Sequence, residues 1–135
     1  MVDFIRQDIT DQRDQIIFGE NYNSEKYLGG VRSFDELTLI QISQLAELGI
    51  LDMDECQNDS LTIGEMIGFL RDRKTDGWYA HGYCVSLDRS DFRITFEGIG
   101  KRTPPSREDI IDFSMLFRWA DEFYVGNDGV RCWYD

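Results

Sequence analysis

A chain of 135 residues holding 26 acidic and 14 basic side chains carries a formal charge of −12. That length fits one domain with a single core and leaves little room for a second. At 41% apolar and 13% aromatic residues the chain is a folding sequence, and its field repels nucleic acid backbones and anionic membrane surfaces, so direct contact with either is excluded.

The charge is uneven. Residues 1–76 hold 16 acids against 7 bases, and residues 77–135 hold 10 against 7. Cys56, Cys84 and Cys132 are odd in number and widely spaced. That pattern argues for reduced thiols and against a disulfide framework or a zinc site. Met1-Val2-Asp3-Phe4-Ile5-Arg6 shows no export signal, and no apolar run approaches the ~20 residues of a membrane span. A cytoplasmic setting is expected.

In chain order, residues 3–15 read as a short helix, followed by an irregular Asn-, Tyr- and Gly-containing segment to 32. Ser33 and Glu36 form a capping-box pattern ahead of Leu37, Leu39, Ile40, Ile42, Leu45 and Leu48, with Gly49 as the terminating glycine. A second box, Thr62 and Glu65, opens a helix through Ile63, Met66, Ile67, Phe69 and Leu70. Arg71, Arg73 and Lys74 complement its dipole.

From Trp78 the period becomes two. A turn at 88–91 predicts a hairpin pairing Leu87 with Phe92, Val85 with Ile94 and Tyr83 with Phe96, and places His81 opposite Gly98. The other face then holds Ala80, Gly82, Cys84 and Ser86, a flat strand that a helix or another backbone can approach closely. In this register Glu97 faces away from His81. Ser106 caps a helix whose apolar stripe is Ile110, Phe113, Phe117 and Ala120, widened by Ile111, Leu116 and Trp119. Gly126-Asn127-Asp128-Gly129 closes a second hairpin, pairing Val125 with Val130 and Phe123 with Cys132. The expected architecture is a single α+β domain over residues 1–135. It has a four-stranded antiparallel sheet of two hairpins packed against three to four helices.

Motifs for chemistry are sparse. Counting from Asp52, a calcium loop would need an oxygen ligand at 56, glycine at 57 and glutamate at 63, and the chain has Cys56, Gln57 and Ile63. Gly29-Gly30 and Gly98-Ile99-Gly100 lack the strand–glycine–helix setting of a phosphate loop. No catalytic set, metal site or cofactor is expected. With one histidine, the enzymatic alternative is a cleft around His81 and Glu97.

Two groups of residues read as interaction candidates. One is the acidic stretch with Asp52, Asp54, Glu55 and Asp59; the other is Asp121, Glu122, Tyr124, Arg131 and Trp133 at the closing hairpin, where aromatic and arginine side chains are the usual interface anchors.

The length, the acidity and the closing stretches Phe117-Arg118-Trp119-Ala120-Asp121-Glu122-Phe123-Tyr124 and Cys132-Trp133-Tyr134-Asp135 resemble small acidic bacterial immunity proteins of toxin–immunity systems. The resemblance implies a non-enzymatic inhibitor that engages a basic protein, a toxin or a nucleic-acid-binding protein. A structural or regulatory homo-oligomer, such as a homodimer through sheet edges, is the third expectation.

Overall fold

The computed structural model describes residues 4–19, 27, 30–58, 60–86 and 89–135. In chain order the elements are α1 (Phe4–Phe18), β1 (Val31–Leu37), α2 (Leu39–Glu47), α3 (Ile63–Arg71), β2 (Trp78–Val85), β3 (Ile94–Lys101), α4 (Arg107–Leu116), β4 (Glu122–Gly126) and β5 (Gly129–Trp133). The strands form one antiparallel sheet in the order β1-β2-β3-β5-β4. The class is α+β, with five strands among the described residues where four were expected.

The additional strand is β1. Ser33 and Glu36 have the spacing of a capping box, yet residues 31–34 alternate in burial, with Arg32 and Phe34 inward, and they pair with Val85 to Gly82. Strand pairing outweighs the local signal. The helix expected from Ser33 instead starts at Leu39, capped by Thr38 and Gln41 in a reciprocal box of the same chemistry. Gly49, at φ +73°, follows its end. The boxes at Thr62/Glu65 and Ser106/Asp109 open α3 and α4.

The helices pack on one face of the sheet. Phe69 of α3 makes edge contacts with Trp78, Phe113 and Phe117 at centroid distances of 5.1–6.4 Å. Phe34, Ala80, Cys84, Phe96, Ile99, Val130 and Cys132 supply the sheet side of the same core. Thus the small-residue row of β2 is the inner face, and helix packing accounts for it.

The inversion has a local cause. The expected register holds from Trp78↔Lys101 to His81↔Gly98 and then slips by one, so that Gly82 faces Phe96, Tyr83 faces Thr95 and Cys84 faces Ile94. Glu97 is the extra residue of a β-bulge. Gly82 permits it: a Cβ there would lie 1.9 Å from the Thr95 carbonyl oxygen. A one-residue slip exchanges the two faces of a strand, and Val85 therefore no longer opposes Ile94. The expected Leu87–Phe92 pair and the 88–91 turn fall partly outside the described residues. The closing hairpin has the expected register, Phe123↔Cys132 and Val125↔Val130.

Candidate interaction surface

Alternation along β4 and β5 puts Phe123, Val125, Val130 and Cys132 on the helix side, and Glu122, Tyr124, Arg131 and Trp133 on the other. These last four line a hollow of about 390 Å³. Arg131 is its organising group. It donates to the Tyr79 hydroxyl at 3.0 Å, lies 5.4 Å from the Trp133 ring centroid, and reaches an Asp35 carboxylate oxygen at 4.0 Å. The Tyr124 hydroxyl donates to Asp128 at 2.7 Å, which holds its proton above the ordinary phenol range. The sequence-derived candidates on this hairpin therefore share one surface. Asp121 adjoins it, accepting from the Asp135 backbone N–H at 2.8 Å.

His81 lies beneath that surface. It is 1% exposed, and Trp133 packs against it with the rings tilted by 53° and their centroids 5.1 Å apart. Its Nε2 is 2.7 Å from the Cys132 carbonyl oxygen, two strands away. Because a carbonyl only accepts, Nε2 carries the proton. The imidazole crosses β3 where Gly98 has no side chain to block it. The bulge corrects the expectation for Glu97, whose carboxyl is turned towards Trp133, the ring His81 also packs against. Burial drives the carboxyl pKa up, and the nearby Trp133 partly offsets it.

Burial also presses the His81 pKa down to about 4, against the Cys132 hydrogen bond that raises it. The neutral ring is the form that fits. The stability it brings is complete above the unfolded value of about 6.5 and is lost as pH falls towards 4, by roughly 3 kcal/mol. Urea titrations of the protein and of His81→Asn should differ by an amount that shrinks by roughly 2–3 kcal/mol between pH 7.5 and 4.5. A gap that stays constant with pH would mean that the ring titrates normally.

The acidic stretch after α2 occupies a separate place. Asp52 and Asp54 are exposed, and Asp52 accepts from the Asp54 backbone N–H at 3.0 Å. Glu55 is tied down, accepting from the Thr95 hydroxyl at 3.2 Å and facing Arg93 at 3.4 Å. Asp59 lies outside the described residues. Asn58 donates to the Asp135 carbonyl, which brings this loop towards the closing residues.

Asp52 and Glu55 also edge a cavity of about 480 Å³ that has Arg13, Asp91, Phe92 and Arg93 among its walls. Arg13 had no signal in the sequence, where it sits in an unbroken polar run. In the fold it is 0% exposed. It donates to Asp14 at 3.0 Å, to the Val85 carbonyl at 3.1 Å and to the Tyr27 hydroxyl at 2.6 Å, and Tyr27 donates in turn to Asp14 at 2.7 Å. Burial pushes the Tyr27 hydroxyl upward and the neighbouring Cys84 thiol to about 12.

Part of the expected α4 stripe is not core. Phe113 and Phe117 are buried, whereas Ile111, Leu116 and Trp119 are exposed, Trp119 to 76%, and so is Met115 beside them, to 64%. A groove of about 620 Å³ runs between α3 and α4, with Phe69, Met115 and Leu116 among its walls. Phe113 carries α4 onto the sheet, 6.2 Å from Trp78 and 5.1 Å from Phe123, and Phe117 packs on Phe69 of α3, so the flanking apolar positions stay outside.

Among the described residues no helix is long and apolar enough to cross a membrane, and no group of three His, Cys, Asp or Glu side chains is placed to hold a metal ion. No family model, curated protein or solved structure matches the chain.

Proposed function

We propose that this chain is a non-enzymatic acidic binding protein of the inhibitor or immunity kind, and that it engages a basic protein partner. The observation that supports this reading most is the composition of the closing hairpin surface. Tyr124, Arg131 and Trp133 lie together in a setting that includes Asp35, Glu122 and Asp128, with Asp121 and Asp135 adjoining. Aromatic and arginine side chains supply the desolvated anchors of interfaces, and surrounding charge accelerates encounter. The buried, hydrogen-bonded state of His81 supports a binding role over a cleft chemistry built on that ring.

The test is affinity capture from the native host at low salt, followed by mass spectrometry of what is retained. A basic protein should be recovered and should wash off as ionic strength rises. With that protein purified, Tyr124→Ala and Glu122→Lys should each weaken binding by roughly 10-fold or more, since both side chains are exposed on this surface. Failure to recover any basic protein at low salt would overturn the reading.

A further inference from the structure

The two edges of the sheet are treated differently. Edge strands expose unpaired N–H and C=O groups, and folded proteins usually blunt them with bulges, inward charges, lysine, proline or a covering element. β1 has such protection: its register is irregular between Phe34 and Leu37, Arg32 points inward beneath Phe18 of α1 at 3.6 Å, and Glu36 is held by Arg102 at 2.6 Å. β4 has none of it. Among the described residues it pairs with β5 alone, its register is regular, and Glu122 to Val125 are all exposed. Its centre is Phe123-Tyr124-Val125, without lysine or proline.

We infer that β4 is a docking edge, to which a basic partner adds an extended strand of alternating apolar and basic residues. The occupant follows from charge. Asp121 to Asp128 contains three acids and no base. A second copy pairing there would set acid against acid on a chain of net charge −12, whereas a lysine- or arginine-bearing strand would meet complementary charge. The side chains define a matching alternation. Partner residues on the helix side would lie against Phe123 and Val125, and the basic residues on the other side would reach Glu122 and Tyr124, the Arg131 charge one strand further in being faced by Asp35. Backbone hydrogen bonds would give affinity and the alternate side chains selectivity. This inference rests on the basic-partner reading and adds the mode of engagement.

A nine-residue peptide alternating lysine and valine is the probe, beside a scrambled peptide of the same composition and two versions N-methylated at alternate residues in the two possible phases. N-methylation removes a donor without altering charge. If β4 accepts a strand, the parent binds, the scrambled peptide and one methylated phase bind at least ~10-fold more weakly, and the amides of residues 122–126 gain protection from hydrogen exchange. Equal binding of all four peptides, or no binding of any, overturns strand addition while leaving the basic-partner reading standing. That reading fails separately, if host capture yields no basic protein. A dimer of the protein alone that Val125→Lys dissolves would assign the edge to a second copy and also overturn the inference.

Discussion

Replacing Arg13 with methionine is expected to destabilise the protein by about 3–5 kcal/mol, because it leaves a carboxylate without its cation in the interior. The arginine is fully buried and holds three groups at once: Asp14 on its own helix, Tyr27, and the carbonyl of Val85 on β2. Phe92 stacks on it at 4.9 Å, so its environment is packed as well as bonded. Methionine keeps most of the volume and none of the donors. Asp14 would keep only Tyr27, and the Val85 carbonyl would lose its arginine donor. For a domain of this size the melting temperature should fall by roughly 10–15 °C. Adding Asp14→Asn to the variant removes the stranded charge, so the double variant should recover part of the loss. Urea and thermal unfolding of the three proteins decide it. A shift of only a few degrees in Arg13→Met would show that the guanidinium is hydrated.

Gly98→Ala is the second change with a large expected cost, about 3 kcal/mol or more. A Cβ at this position would sit 2.1 Å from the Cys132 carbonyl oxygen and 2.7 Å from His81 Nε2. The imidazole could swing away. The carbonyl belongs to β5, and shifting it disturbs the neighbouring links between β3 and β5, including Gly100↔Arg131 and the Tyr134 N–H to Glu97 carbonyl bond at 2.8 Å. The His81→Ala/Gly98→Ala double variant should therefore remain destabilised, since only the softer of the two clashes is relieved. Near-ultraviolet circular dichroism, sensitive to Trp133 packed against His81, should change in both variants. Full stability in Gly98→Ala would sink the account of a ring laid across a bare strand.

These two sites also mark where sequence reading reaches its limit. The closing hairpin was legible because Gly126 to Gly129 supplies its turn and apolar residues then align across it at fixed spacing. The helices at Ile63 and Arg107 were legible because each carries its own cap. Glu122, Tyr124, Arg131 and Trp133 could be placed on one face for the same reason, through strand alternation alone. The bulge at Glu97 could not, since a local pattern does not say which strand yields one residue. It decided which face of β2 is core and set Glu97 and His81 against the same indole.

What the chain determined by itself was local. Its capping boxes, the alternation of its strands and its surplus of acid defined an α+β domain that repels anions. Only the tertiary structure turned residues 31–37 into an edge strand, buried Arg13 amid a polar run, and left Met115 and Trp119 outside the core. The physical reason is the range of the forces. Caps and turns are satisfied within four residues of backbone, whereas strand partners, burial and the pairing of an interior charge depend on surfaces brought together from distant parts of the chain.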